Sequence, residues 1–174
     1  LDVWTISCQC DARLRARAIA YNSLGLSFDV VEGGASYRLQ TRTIGSYNVS
    51  NLLGVLGAMR ALGVPLQDAV QACSTLHPVP GRMQCQGGID EPLVAVDYAH
   101  TPDALGRTCA TARALEGRGR VIVVFGAGGE TDAGKRVPMG EAVGAAADLA
   151  IVTTDNPRHE DPRAIAAMLL AGLE

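Results

Sequence analysis

The chain has 174 residues, of which 48% are hydrophobic and 19% charged, and its formal net charge is −3. These values are typical of a globular protein with one domain or two small ones, and they provide no basic surface for nucleic acid. No apolar run is long enough to span a bilayer. Residues 1–4 have neither the pattern of a signal peptide nor an initiator Met, so we expect the true N-terminus to lie elsewhere.

The cysteines give no indication of a disulfide framework or a zinc site. Five are present, an odd number, and no Cys-x-x-Cys pair occurs. Cys8 and Cys10 have no second pair or nearby His to complete a zinc site. We therefore predict reduced thiols in a cytoplasmic protein, and no metal site formed by this chain.

Residues up to about 80 are predicted to form strands followed by two helices. Alternating apolar residues and a Gly33-Gly34 turn predict strands over 13–21, 26–31 and 37–41. Apolar residues at positions 49, 52, 53, 56 and 59 then form one helical stripe, which ends near Gly63. Pro65 suits the first turn of a second helix, which is predicted to run to about Ser74.

The second half shows a different order, after a linker over 77–82 that two prolines and a glycine keep irregular. Continuous apolar strands alternate with helices, which indicates an α/β, Rossmann-like fold with a mainly parallel sheet covered on both faces. Thr101-Pro102-Asp103 opens the first of these helices. The predicted strands are 93–96, 121–125 and 149–153, and the later helices are 137–147 and one beginning at Pro162.

Polar loops follow each predicted parallel strand, where the functional groups of open α/β sheets gather. In the first loop, Asp97 can accept hydrogen bonds from ribose hydroxyls and His100 can donate to phosphate or acyl oxygens. The alternative is that Asp97 caps a turn and His100 packs beside the helix start. The residues alone favour this alternative.

The second loop, 126–136, formally matches Gly-x-x-x-x-Gly-Lys from Gly129 to Lys135. A phosphate-binding loop requires Ser or Thr at the next position to ligate magnesium, whereas this chain has Arg136. Glu130 and Asp132 would also place negative charge within a phosphate cradle. The pattern therefore argues against such a loop, although a phosphotransferase that uses Lys135 stays an alternative.

In the third loop, Pro157 separates Asp155-Asn156 from Arg158. This order suits a zwitterionic ligand, with the Asp155 carboxylate binding an ammonium and the Arg158 guanidinium binding a carboxylate in bidentate fashion. A solvated polar turn before a helix is the alternative.

Two asparagines, Asn48 and Asn51, lie three residues apart at a helix start and hence on one face. Asn48 is explained as an N-cap, whereas Asn51 lies inside the first turn and is harder to explain in this way.

Together these segments resemble the Mur ligase family, in its tripeptide synthetase branch. The resemblance covers essentially the whole chain, because the segments occur in the family's order. They are Tyr47-Asn48-Val49-Ser50-Asn51-Leu52-Leu53, Pro80-Gly81-Arg82-Met83, Val96-Asp97-Tyr98-Ala99-His100-Thr101-Pro102-Asp103-Ala104-Leu105, Gly134-Lys135-Arg136 and Asp155-Asn156-Pro157-Arg158.

The resemblance implies that residues 1–82 end a central ATPase domain and that residues 83–174 begin a C-terminal Rossmann-like domain. It also implies ATP contacts from Asn48, Asn51, Arg82 and Asp97, and catalytic roles for Arg82, Asp97 and His100. The implied reaction activates a carboxylate of UDP-N-acetylmuramoyl-L-alanyl-D-glutamate as an acyl phosphate, which the amine of meso-diaminopimelate then attacks. Mg²⁺ would be required, with most of its ligands outside this segment.

The same resemblance assigns Asp155, Asn156, Pro157 and Arg158 to recognition of meso-diaminopimelate. The family's glycine loop has an arginine that contributes to this site, where this chain has Thr131. Asp132 and Lys135 are further candidates in that loop. A lysine-adding ligase is therefore an alternative.

The P-loop, the carboxylated lysine and the uridine-nucleotide domain of the family have no counterpart in these residues. We therefore expect the 174-residue chain to be inactive alone. A non-catalytic nucleotide-binding or interaction module is a further alternative.

Overall fold

The computed structural model describes residues 2–22, 25–88, 90–116 and 119–174. The chain forms two compact units, Leu1–Val96 and Asp97–Glu174. Each unit has its own apolar core. The division between residues 82 and 83 that the family resemblance implies stays a prediction.

The first unit contains, among the described residues, a four-stranded sheet in the order β1-β2-β3-β4, two helices and a separate strand pair. β1 is parallel to β2, and the other neighbours in the large sheet are antiparallel. The strands and helices predicted in this half are confirmed. The elements are β1 (Ile6–Ser7), β2 (Leu14–Asn22), β3 (Gly25–Glu32), β4 (Ala35–Thr41), α1 (Tyr47–Ala61), α2 (Leu66–Ser74), β5 (Gln84–Gln86) and β6 (Val94–Val96).

The core of the first unit forms because one face of its sheet meets the apolar stripe of α1. Side chains alternate across a strand, so Phe28 and Val30 of β3 point to the same face and are fully buried. Leu53 and Leu56 of α1 are also fully buried in the same cluster. The apolar stripe of α1 and the alternating apolar residues of the strands, both predicted from the sequence, therefore pack against each other in a single core.

The second unit places two parallel strands among three helices. Thr101 caps the first helix by accepting a hydrogen bond from the Ala104 N–H at 3.3 Å, and Asp161 caps the last by accepting one from the Arg163 N–H at 2.9 Å. The elements are α3 (Pro102–Glu116), β7 (Ile122–Phe125), a short 3-10 helix (Ala133–Lys135), α4 (Arg136–Gly144), β8 (Leu149–Val152) and α5 (Pro162–Ala171). Since β7 and β8 are parallel, the loops after them emerge at the same edge.

The prediction that residues 93–96 form a buried strand of the parallel sheet is wrong. β6 instead pairs antiparallel with β5, and its residues Val94 and Val96 are about half exposed. A short apolar run in a sequence indicates a strand, but it does not indicate which other strand pairs with it. The partner is β5, which comes just after the linker. The segment that connects β5 to β6 begins with Gly87 and Gly88, and both have positive φ values.

The prediction that the parallel sheet is covered on both faces is also wrong for the described residues. Val123 and Phe125 face a cluster to which α3, α4 and α5 all contribute. Ile122, Val124 and Ile151 point the other way and are exposed. The apolar run in each strand indicated two covered faces, but the helices of this unit pack on one.

None of the five cysteines forms a disulfide. Cys73 and Cys109 are buried, and their burial raises the pKa of both thiols, so they stay protonated near neutral pH. In the part of the chain that the structure describes, no helix has the length and apolar character to cross a membrane.

Candidate functional site

The candidate site lies in two loops at the carboxyl ends of β7 and β8, the glycine loop (126–132) and the proline loop (153–161). Their backbones are bonded directly, because the Gly129 N–H donates to the Asn156 carbonyl at 2.9 Å. A methyl group built on Gly129 would lie 1.9 Å from the Pro157 carbonyl oxygen. No side chain fits there, so the close approach of the two loops requires glycine at this position.

Arg158 is exposed and is held by the glycine loop. Its guanidinium Nη1 donates to the Gly129 carbonyl, and its backbone N–H donates to the Asn156 Oδ1 at 3.3 Å. Its φ of 50° is left-handed, an uncommon conformation for a residue with a side chain. A guanidinium has five N–H donors, so one bond to Gly129 does not exhaust its capacity to bind a carboxylate.

The other predicted members of the amino-acid site are close to Arg158 in the fold. Asp155 and Asn156 are exposed and belong to the same loop. Thr131 is exposed, and its hydroxyl donates to the Gly128 carbonyl at 2.9 Å. A methyl group built on Gly128 would lie 3.7 Å from Arg158 Nη1 and 3.9 Å from Thr131 Cγ2. Thr131 and Arg158 therefore flank the same point of the glycine loop.

An ion pair between a buried arginine and a partly exposed glutamate lies beside these exposed groups. Arg136, at the start of α4, is fully buried and donates to Glu160 Oε2 at 2.8 Å and to Oε1 at 2.9 Å. Glu160 Oε1 also accepts a hydrogen bond from the Glu130 N–H at 2.5 Å. These two donors, Arg136 first, lower the pKa of Glu160 to about 2, and Glu160 in turn raises the pKa of Arg136. The pair is therefore fully charged at neutral pH.

The glycine loop is not arranged as a phosphate cradle. A cradle presents several backbone N–H groups to the ligand, whereas here the N–H of Gly129 bonds Asn156 and the N–H of Glu130 bonds Glu160. The Gly134 N–H donates to the Asp132 carboxylate at 2.9 Å, which caps the 3-10 helix containing Lys135. Since these three N–H groups are already bonded, the geometry does not favour a phosphotransferase that uses Lys135.

The two candidate asparagines of α1 lie on one helix face, as predicted, and they bond each other. Asn51 Nδ2 donates to Asn48 Oδ1 at 3.1 Å, and Asn48 Nδ2 donates to the Ile44 carbonyl at 2.7 Å. Asn48 lies inside the first turn and Ser46 occupies the N-cap, so the interpretation of Asn48 as the N-cap is wrong. The bond to Asn48 leaves the exposed Asn51 with further donor and acceptor capacity.

The remaining ATP candidates lie in different units. Arg82 is exposed in the irregular segment of the first unit. In the second unit, Asp97 Oδ1 accepts a hydrogen bond from Thr108 of α3 at 3.3 Å, and the His100 Nδ1 lies 2.9 Å from the Tyr98 carbonyl oxygen. The ring of His100 is exposed and contacts Tyr98 edge-on. Among the described residues, no cluster of three or more His, Cys, Asp or Glu side chains could hold a metal ion.

Arg136 and Glu160 were not among the residues predicted to form a site. The sequence nevertheless contains a signal for Arg136, because it precedes Met139, Gly140 and Val143 at the helical spacing i, i+3, i+4 and i+7. All four are buried on one face of α4. A cation on the apolar face of a helix requires a buried partner, although the sequence does not say which carboxylate provides it.

The family model for the Mur ligase, glutamate ligase domain matches residues 81–174, more than half of the chain. The chain belongs to the Mur ligase family. The model begins in the irregular segment beside Arg82 and includes both loops of the candidate site.

The relatives and a solved structure of this family carry one enzyme name. The chain is 53% identical to the UDP-N-acetylmuramoyl-L-alanyl-D-glutamate--2,6-diaminopimelate ligase of Acidovorax sp. (strain JS42), over 99% of this chain and 35% of that protein. It is 48% identical to the ligase of the same name from Janthinobacterium sp. (strain Marseille), over 93% of this chain and 32% of that protein. A solved structure of that name is 37% identical, with a TM-score of 0.63, over 98% of this chain and 35% of that one. The chain therefore spans about a third of the length of the relatives it matches.

Proposed function

We propose that this chain is a segment of a longer, cytoplasmic, ATP-dependent ligase that adds meso-diaminopimelate to UDP-N-acetylmuramoyl-L-alanyl-D-glutamate in peptidoglycan synthesis. The observation that carries the proposal is the exposed Arg158, held on the glycine loop beside Asp155 and Asn156. The names of relatives up to 53% identical support the same reaction.

The charges of the proline loop match those of the amino acid. Diaminopimelate has an ammonium and a carboxylate at each end, whereas lysine lacks the second carboxylate. Arg158 binds that carboxylate through the planar fork of its guanidinium, and Asp155 binds the neighbouring ammonium. Asn156 and Pro157 set the turn between them, and Thr131 contributes a neutral hydroxyl.

For ATP, the described residues fit the base and ribose better than the triphosphate. The amide of Asn51 suits an adenine edge, and the Asp97 carboxylate suits ribose hydroxyls. The N–H groups of Gly129 and Glu130 in the glycine loop are already bonded, so we place the phosphate and Mg²⁺ sites in other parts of the longer ligase. Bound ATP supplies the phosphoryl group that activates the substrate carboxylate. Asn48 supports Asn51, and Arg82 and His100 are the catalytic candidates, since a cation or an N–H donor can stabilise developing negative charge.

A lysine-adding ligase is the second candidate, and the residue that favours it is Thr131. The neutral Thr131 stands where the diaminopimelate branch has a cation, which leaves Arg158 as the main selector between the two amino acids. A non-catalytic module of this fold would use neither amino acid.

The test is an assay of the full-length ligase with ATP, Mg²⁺ and the UDP-muramoyl dipeptide, in which KM and kcat are measured for meso-diaminopimelate beside L-lysine. We expect strong preference for diaminopimelate. Preference for lysine would establish the second candidate, and ligation of neither would contradict both enzyme assignments.

Arg158→Ala in the same ligase tests the residue that carries the proposal. We expect kcat/KM for diaminopimelate to fall. The fall should correspond to a loss of about 2–5 kcal/mol in transition-state stabilisation, as when one partner of a desolvated charge pair is removed. The loss should lie near the upper end because Thr131 cannot replace the cation, and the KM for ATP should stay unchanged. Arg158→Lys should recover little, since an ammonium lacks the bidentate fork. If neither variant changes the preference between the amino acids, Arg158 is not the selector.

A further inference from the structure

We propose that Arg136 and Glu160 are a positioning pair that holds Arg158 and Thr131 in the geometry that selects the amino acid. This inference rests on the proposed function. Neither residue is assigned a contact with substrate: the Arg136 side chain is 1% exposed and lies beneath the loops.

The pair connects all the backbone that carries the selecting groups. Glu160 belongs to the proline loop, two residues after Arg158, and Arg136 begins α4 directly after the 3-10 helix that ends the glycine loop. Glu160 also binds the N–H of Glu130, which immediately precedes Thr131. Arg136 Nη2 lies 3.3 Å from the Gly128 carbonyl oxygen and donates to it. One buried guanidinium and one carboxylate therefore bind both loops on either side of the proposed site.

The backbone at these positions needs such support. Glu130 and Arg158 have left-handed φ values of 52° and 50°, which residues with side chains rarely adopt unless their surroundings impose them. Each is adjacent to or part of the pair's hydrogen-bond network. Without the network, both residues are expected to relax toward ordinary conformations, and the Arg158 guanidinium would leave its place on the Gly129 carbonyl.

Stability alone does not explain a charge at this position. The other buried positions on this face of α4 are Met139, Gly140 and Val143. Burial of position 136 does not by itself require a charge, because replacement of charged groups in protein interiors by apolar side chains is often neutral or stabilising. What an apolar residue lacks is the directed hydrogen bonds to Glu160 and Gly128.

The first test is Glu160→Gln in the full-length ligase. Glutamine keeps the shape of the side chain but removes the charge that Arg136 binds. We expect the KM for meso-diaminopimelate to rise roughly 10- to 100-fold, as for a displacement of about 1 Å in a binding group. The KM for ATP should stay unchanged. Amide hydrogen exchange at Gly129 and Glu130 should become faster, since both N–H groups bond the proline loop.

The second variant, Arg136→Met combined with Glu160→Gln, separates positioning from stability. It leaves no unpaired buried charge, so we expect thermal stability to return toward the parent value. The KM for diaminopimelate should stay as high as in Glu160→Gln, because the hydrogen bonds that Arg136 and Glu160 make to the two loops are still missing.

Asp148→Asn provides a matched control in the same unit. Asp148 also pairs with an arginine, since Arg113 Nη2 lies 2.7 Å from its carboxylate, and it also accepts a backbone N–H, from Val121 at 2.7 Å. It lies at the amino ends of β7 and β8, the edge opposite the two loops. The same kind of loss there should leave the KM for diaminopimelate unchanged.

A raised diaminopimelate KM in both Glu160 variants, with parental values in Asp148→Asn, supports the inference. A double variant with parental KM would overturn it and reduce the pair to a structural contact. An equal rise in Asp148→Asn would overturn it too, because the effect would then be general. A parent enzyme that does not use diaminopimelate would overturn the proposed function itself, and this inference with it.

Discussion

The two units of this chain are built from similar elements but bury different kinds of groups. The first unit packs apolar side chains against one face of its sheet, and Leu14, Phe28 and Leu39 have no exposed surface. The second unit buries a full positive charge, Arg136, and leaves Ile122 and Val124 of its parallel sheet exposed.

The comparison shows two ways in which a fold fixes its geometry. In the first unit, apolar burial is proportional to area and has no direction, so it stabilises the sheet without specifying any particular loop. In the second unit, the hydrogen bonds of the Arg136–Glu160 pair have fixed directions and connect two loops, although the cost of removing Arg136 from water offsets much of their contribution to stability. The apolar core of the first unit therefore mainly stabilises the fold, whereas the Arg136–Glu160 pair of the second unit mainly fixes the geometry of two loops.

The largest expected effect tests the apolar side of this comparison. Leu53→Ala removes a fully buried side chain of α1 and should lower the free energy of unfolding by about 2–5 kcal/mol, through lost burial and the cavity left behind. Val55→Ala in the same helix, where the side chain is 46% exposed, should change it by no more than about 0.5 kcal/mol. Urea titration of both variants measures the difference. Equal losses would contradict the assignment of the core.

The next effect tests whether close contact between the loops organises the second unit. Gly129→Ala places a methyl group against the Pro157 carbonyl, so the loops must separate. We expect a loss of about 1–3 kcal/mol in the free energy of unfolding, together with a raised KM for diaminopimelate in the full-length ligase. Gly106→Ala in α3 is the control, because nothing lies within 4 Å of its new methyl group. That change should instead stabilise the helix by up to about 1 kcal/mol.

The smallest effect is a pH dependence that belongs to the ion pair. The pKa of Glu160 is lowered from its ordinary value of 4.5 to about 2. A lowered carboxyl pKa contributes stability above the ordinary value, and this contribution is lost as the pH falls through the lowered one. The stability difference between the parent chain and Glu160→Gln should therefore be constant above about pH 4.5 and shrink toward about pH 2. Urea midpoints across this window measure it, and a difference independent of pH would show that the pair is not formed.

Much of the local structure was predictable because it depends on neighbouring residues. The alternation in β2, the stripe of α1 and the caps at Thr101 and Asp161 are set by short-range sterics and hydrogen bonds. The shared helix face of Asn48 and Asn51 follows from helical spacing alone. By contrast, the N-cap of α1 was misassigned by two residues, because Asn and Ser both suit the position.

The sequence by itself determined the order of elements, the family, and the exposed loops that carry Asp97, Thr131 and Arg158. Only the tertiary structure decided that β6 pairs with β5, that one face of the β7–β8 sheet is exposed, and that Arg136 binds Glu160. The reason is the range of the forces involved. Helical and extended periods are encoded within a few residues, whereas the partner of a strand or of a buried cation is decided by contacts between elements and depends on which surfaces remain after the cores have formed.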